Sequence, residues 1–350
     1  MTDPQSLVET SSEQASLCCL NLATVPIIFF SLLFWGRAQI KEAVLETMRM
    51  FDVDPLSILS VEQTPTFEPF MLECIEEAYT RGYLSRSSDL ALTEKHVRIG
   101  AAVGHYAYFH HRGTSSHKIT VLGSLRIALD FCIDDNCFDP HSIEEYGSRL
   151  VAGRPQLEKG LDDYRAVTSE LSDMYDATAG DLMRMSSLAY VAGVHLEAGM
   201  CGGGASSWDV STDAPHFPNA MKAMTSDSIA MTVQTFPHAV PSKCYLQALP
   251  DAAAVHEHMA DILSYYKEAL AGEFNRVEQI AQLRGIEGSD MLSELVSSMA
   301  ASHARVRRTL TASDPTGSLF SLWHKSIAGY VIFHAVNPRY RFEDLGILAF

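Results

Sequence analysis

The chain has 350 residues, 47% hydrophobic and 20% charged, with a formal net charge of −17. That apolar share supplies a sizeable core, and the acidic balance argues against non-specific binding to nucleic acid or to an anionic membrane surface, since both need a basic face. Seven scattered cysteines, with no CxxC pair and no zinc-finger spacing, argue for a reducing compartment, the cytoplasm, rather than a disulfide framework.

Gln14 to Gly36 carries no charge and contains the apolar run from Val25 to Trp35, long enough to span a bilayer. The residues before it are acidic and polar (Asp3, Glu9, Glu13), unlike the basic start of a signal peptide. Three readings stay open: a membrane anchor, a packed N-terminal helix, or a stretch outside the fold. Residues 1–37 are therefore set apart from a single domain over 38–350. Any membrane contact would run through residues 14–36.

From Arg37 onward apolar spacing predicts helix after helix. Ile40, Ala43, Val44 and Met48 mark the first, which Asp54-Pro55 breaks. Phe67 to Tyr83 and Leu90 to His111 follow, the latter after a Ser87-Ser88-Asp89 cap. Ile119 to Leu129 reads as a buried helix, with shorter candidates over Ser142 to Val151 and Leu157 to Met174. Asp181 to Met200 is strongly apolar. Residues 201–218 form a long loop whose glycines lack the context of a phosphate loop. Helices resume at Asn219, Ala252, Met291 and Ser318, and alternating strands are nearly absent. The expected fold is all-α, a single helical bundle around a central cavity.

Four aspartates lie in ten residues at the end of the buried helix: Asp130, Asp134, Asp135 and Asp139. Asp130 and Asp134 share a helix face. Burying ionised carboxylates is unfavourable unless they are paired, and no Lys or Arg lies between Arg126 and Arg149. A divalent metal is the simplest partner. Oxygen-only ligands suit Mg²⁺, which usually brings a substrate phosphate. The alternative is a frayed helix end with solvated aspartates.

Further along, Ser264 and Glu268 share a face with Lys267 beside them. That is half of an oxygen-rich metal site with a flanking cation for phosphate, or else a solvated helix. After the last apolar helix, Asn337-Pro338-Arg339-Tyr340-Arg341 offers a planar Arg next to a Tyr, suited to a diphosphate, or a plain basic helix end. Arg184 is the only Lys or Arg between Asp181 and His195. It either faces an anion or has a carboxylate partner.

Taken together, these residues resemble the class I terpene synthases, and among them the trichodiene-synthase type of sesquiterpene cyclase. Asp134-Asp135-Asn136-Cys137-Phe138-Asp139-Pro140 looks like that family's aspartate-rich motif. Ala260-Asp261-Ile262-Leu263-Ser264-Tyr265-Tyr266-Lys267-Glu268 looks like its Asn-Asp-x-x-Ser-x-x-Lys-Glu motif, except at the first residue. Gly329-Tyr330-Val331, His334 and Arg339-Tyr340-Arg341 resemble the third, and Arg184 falls where a diphosphate-sensing arginine is expected. The likeness spans roughly residues 90 to 345.

The resemblance implies Mg²⁺, three ions with diphosphate, and farnesyl diphosphate as substrate. By it Asp134, Asp135, Ser264 and Glu268 would hold metal. Arg184, Lys267, Arg339 and Tyr340 would grip the diphosphate. The substrate would be ionised, the cation cyclised and diphosphate released, and a homodimer is compatible with it. Two positions depart from the pattern: Ala260 replaces the asparagine ligand, and Asn337 stands where an acid is expected. The alternative function is a catalytically impaired relative that binds prenyl diphosphate or a protein partner without turnover. A chain-elongating prenyltransferase would want a second aspartate-rich motif, and the second motif here is of the Ser/Glu type.

Overall fold

The computed structural model describes residues 36–58, 66–85, 90–201, 210–273 and 275–348. Most of the apolar N-terminal stretch lies outside them. Among the described residues there are thirteen α-helices and no strand, so the all-α expectation holds. No helix among them is long and apolar enough to cross a membrane.

The helices are α1 (Arg37–Met50), α2 (Phe67–Thr80), α3 (Glu94–Ala107), α4 (His117–Asp134), α5 (Pro140–Val151), α6 (Lys159–Ser172) and α7 (Ala177–Cys201). They continue with α8 (Phe217–Thr225), α9 (Ser228–Thr235), α10 (Leu249–Ala271), α11 (Arg276–Arg284), α12 (Gly288–Ser313) and α13 (Ser318–Val336), and a 3₁₀ turn at Pro338–Tyr340 follows. Seven of them, α3, α4, α7, α8, α9, α10 and α13, surround a central cavity.

The centre is α4. Every residue from Ile119 to Leu129 is buried, as a helix apolar on all sides must be. Its closest neighbour is α3, where Gly100 and Gly104 face Ser124. A Cβ at either glycine would collide with Ser124, so the absence of side chains sets this helix–helix approach.

Local chemistry sets the ends of the helices around the site. Helix α4 closes with Asn136 in the left-handed region at φ 54°, where Asn is among the few tolerated residues. Asp139 then caps α5, accepting the His141 N–H at 2.9 Å, with Pro140 at the first helical position. Pro140 thus begins α5 two residues before the Ser142 start expected from the sequence. The helix expected from Asn219 begins at Phe217 and breaks at Asp227, whose φ is 47°. That break turns α9 away from α8 and directs both helix ends at the cavity.

Candidate active site

The cavity has two parts. An inner chamber of about 180 Å³ has Val103, Ile127, Phe131 and Met231 among its apolar lining. A wider mouth of about 640 Å³ is polar, and both parts share Asp134, Lys222, Lys267 and Glu268. The mouth lies within the usual size range of small-molecule sites.

Helix α4 delivers Asp134 as its last residue, opening onto the mouth. Burial nevertheless pushes its carboxyl above the usual range, against the pull of Arg339. From the facing helix α10, His256, Ala260, Ser264 and Glu268 all reach the chamber wall, because spacings of four keep them on one stripe. Burial also raises the Glu268 carboxyl, while Lys222 and the Ser264 hydroxyl oppose the shift. Asn275 donates to Glu268 at 2.7 Å and fixes its orientation. Lys267 stands 3.9 Å from Glu268 and 3.3 Å from Glu273.

The turn after α13 brings in the third group. The Asn337 side chain accepts the Arg339 N–H at 3.0 Å and shapes this turn. Arg339 then reaches over the mouth to Asp135 at 3.0 Å and Asp134 at 3.7 Å. Tyr340 is buried against the His334 ring, centroids 4.3 Å apart, and lines the chamber. Burial lowers both His256 and His334 to about 4, so both imidazoles are neutral at pH 7.

The structure therefore gathers Asp134, Ser264, Lys267, Glu268, Arg339 and Tyr340 around one cavity. Two expected residues lie elsewhere. Asp135 does not line the cavity: His96, 3.7 Å away, and Arg339 hold its carboxylate, which they bring down to about 2. Arg184 does not line it either. It is half-exposed on the outer side of α7 and pairs with Asp173 and with Asp181 at 3.0 Å. Its partners are carboxylates, and the expectation that it grips substrate is corrected.

A third correction concerns Asp130. Its partner is Arg126, fully buried one turn earlier at 3.1 Å, so it needs no metal. Arg126 also pairs with Asp227, which accepts from Ser186 at 2.7 Å. This network ties α4 to the α8–α9 break and to α7 beneath the cavity. The i, i+4 spacing of Arg126 and Asp130 is the signal in the sequence for this pair.

The residue that sequence reasoning missed is Lys222 on α8. Its ammonium lies 2.8 Å from Asp261. Burial would lower its pKa, but Asp261 and Glu268 raise it further, so it stays charged. Asp261 also takes Arg276. Nothing in the short stretch around Lys222, from Phe217 to Thr225, says which carboxylates it will meet.

Comparison with known proteins agrees with this geometry. A sequence model of the trichodiene synthase family matches residues 98–346. The chain is 29% identical to Monoterpene synthase 25 of Postia placenta over 276 residues, 77% of this chain and 75% of that one. It is 26% identical to Terpene synthase BipA of Cochliobolus sativus over 287 residues, 79% and 82% of the two chains. Among solved structures, the linalool/nerolidol synthase of Streptomyces clavuligerus, in complex with 2-fluorogeranyl diphosphate, shares the fold at a TM-score of 0.54 and 14% identity, over 77% of this chain and 93% of that one. The chain belongs to the trichodiene synthase family of class I terpene synthases and is a terpene cyclase.

Proposed function

We propose that the chain is a Mg²⁺-dependent sesquiterpene synthase acting on farnesyl diphosphate. The observation that carries this reading is one cavity that brings facing carboxylates, Asp134 and Glu268, and three cations, Lys222, Lys267 and Arg339, together with apolar and aromatic walls.

The donor set fits Mg²⁺. Asp134 on one side and Ser264 with Glu268 on the other offer only oxygen, and burial raises the Glu268 carboxyl, a cost that a cation would relieve. When bound, Mg²⁺ would neutralise the charge developing on the leaving diphosphate. Lys222, Lys267 and Arg339 donate hydrogen bonds to diphosphate oxygens at the same mouth and favour its departure with the bonding pair. In turning from Asp134 and Glu268 to the substrate, Arg339 and Lys267 also free those carboxylates for metal.

The hydrocarbon lies in the chamber below, where the walls exclude water from the allylic cation. The rings of Phe131, Tyr330 and Tyr340 present electron-rich faces to positive charge. His256 and His334 are neutral and add none of their own.

Purified protein incubated with farnesyl diphosphate and Mg²⁺ tests the reading by volatile-product analysis, with geranyl diphosphate as the competing substrate. A cyclic fifteen-carbon product, lost on chelation and in Asp134→Ala, is the expected result. Turnover of geranyl diphosphate alone overturns the substrate. Near-normal turnover by Asp134→Ala overturns the metal assignment.

A further inference from the structure

Behind the aspartate-rich turn, facing away from the cavity, three soft ligands converge. Nε2 of His96 and the Sγ atoms of Cys132 and Cys137 all lie within 4.8 Å of one another. Two local motifs on different helices produce this. The C-terminus of α4 closes as a Schellman turn: Cys137 N–H donates to the Cys132 carbonyl and Asn136 N–H to Ile133, both at 3.1 Å. That geometry folds the side chain of Cys137 back over Cys132. Helix α3 supplies the imidazole. His96 is its third residue and completes a capping box, with Nδ1 accepting the Thr93 N–H at 3.2 Å and meeting Thr93 Oγ1 at 3.0 Å. The cap leaves Nε2 aimed at Cys137 Sγ, 3.9 Å away, and at an Asp135 oxygen, 3.7 Å away.

We propose that His96, Cys132 and Cys137, with Asp135 as fourth ligand, form a site for one thiophilic divalent cation of the zinc class, separate from the oxygen-lined cavity. A tetrahedral zinc with ordinary bond lengths has S–N and S–S edges of about 3.6 and 3.8 Å. The His96–Cys137 separation is already close to such an edge, and so is the His96–Asp135 separation. The His96–Cys132 and Cys132–Cys137 separations, each within 4.8 Å, close by about an ångström, and the Asp135 carboxylate, outside that group of three, swings in from beside His96 to complete the tetrahedron. The ligand set is two thiolates, an imidazole and a carboxylate, which selects against Mg²⁺. Cys137 is exposed, so the cation enters from the surface.

Binding moves protons but no electrons. Each thiol releases its proton to solvent as the metal–sulfur bond forms. Nε2 gives its lone pair, so the ring proton resides on Nδ1 and donates to Thr93 Oγ1, the outer partner that a metal-bound histidine needs. The Thr93 N–H gives up its acceptor in exchange. This spacing was invisible as a zinc pattern in the sequence because the histidine comes from a different helix.

Cobalt is the probe. Full-length protein, kept reduced by a phosphine and with excess Mg²⁺ present to occupy oxygen sites, is titrated with Co²⁺. One equivalent is expected to produce thiolate-to-cobalt charge transfer and intense tetrahedral d–d bands, both abolished by added Zn²⁺. Cys137→Ser, at an exposed position whose backbone still makes the turn, and His96→Gln, which keeps an acceptor for Thr93, should each weaken Co²⁺ at least tenfold. Cys244→Ser should change nothing. The proposal is overturned if only weak octahedral bands appear, or if the charge-transfer band persists at full strength in Cys137→Ser.

Discussion

The ammonium of Lys222 sits 2.8 Å from the carboxylate of Asp261, one residue beyond Ala260 on the chamber-facing stripe of α10. Asp261 has Arg276 as a second cation. Lys222 is thus the partner that can turn to an incoming diphosphate without leaving Asp261 unpaired. Lys222→Met should cost about 100-fold in kcat/KM, roughly 2.7 kcal/mol. Its effect on folding should stay near 1 kcal/mol, below the 3–5 kcal/mol of an orphaned buried charge. Calorimetry with inorganic diphosphate and Mg²⁺, alongside thermal unfolding, separates the two effects. Unchanged diphosphate affinity would remove Lys222 from the site.

Arg339 tests the lid over the mouth. Its pairs with Asp134 and Asp135 are partly exposed, and such pairs contribute about 0–1 kcal/mol to stability. Arg339→Ala should therefore leave the unfolding temperature nearly unchanged while lowering turnover at least about 100-fold, the size expected for losing one donor to developing charge. If stability and activity fall together, Arg339 is a structural strut.

The helices were legible because burial writes a 3.6-residue period into the chain. The all-round apolar face of α4 even marked the helix that ends up central. The site was legible where a motif is contiguous: Ser264, Lys267 and Glu268 land together because one helix face holds them. It was illegible where partners come from distant segments. Arg184 looked functional because its helix is apolar, yet Asp173 and Asp181 lie outside with it. Lys222 looked ordinary because the carboxylates that give it meaning sit on α10.

Asp130 makes stability depend on pH. Burial pushes its carboxyl from 3.8 to about 7; Arg126 opposes this, and the second carboxylate, Asp227, adds to it. A carboxyl whose folded pKa is raised binds its proton more tightly in the native state, so stability falls as pH rises from about 4 to about 7 and is level above. Asn at this position keeps an acceptor for Arg126 and carries no charge. Asp130→Asn should match the parent chain near pH 3.5 and exceed it by about 4 kcal/mol at pH 8. Denaturant unfolding at both pH values reads this directly. A constant difference between the two chains would mean that Asp130 is ionised throughout, held by Arg126.

Ala260 is the last test, and the structure sharpens it. His256, Ala260, Ser264 and Glu268 line one wall of the chamber, so a metal on Ser264 and Glu268 looks to position 260 for its next protein oxygen. A methyl group offers none. Asp261 does not move in to replace it, because it is rotated about 100° around the helix from that stripe and Arg276 keeps hold of it when Lys222 turns to diphosphate. His256 offers nitrogen, which Mg²⁺ disfavours, and its Nδ1 already lies 3.2 Å from the Ala252 carbonyl. Water is the remaining ligand, and Mg²⁺ keeps water readily. Replacing that water with a fixed amide oxygen removes one ordering requirement from the loaded site. Ala260→Asn should therefore lower the Mg²⁺ concentration for half-maximal rate and raise turnover at limiting Mg²⁺ about tenfold, or 1.4 kcal/mol. Initial rates against Mg²⁺ concentration for the two proteins measure it. An unchanged Mg²⁺ response would show that the water-filled site is the working one.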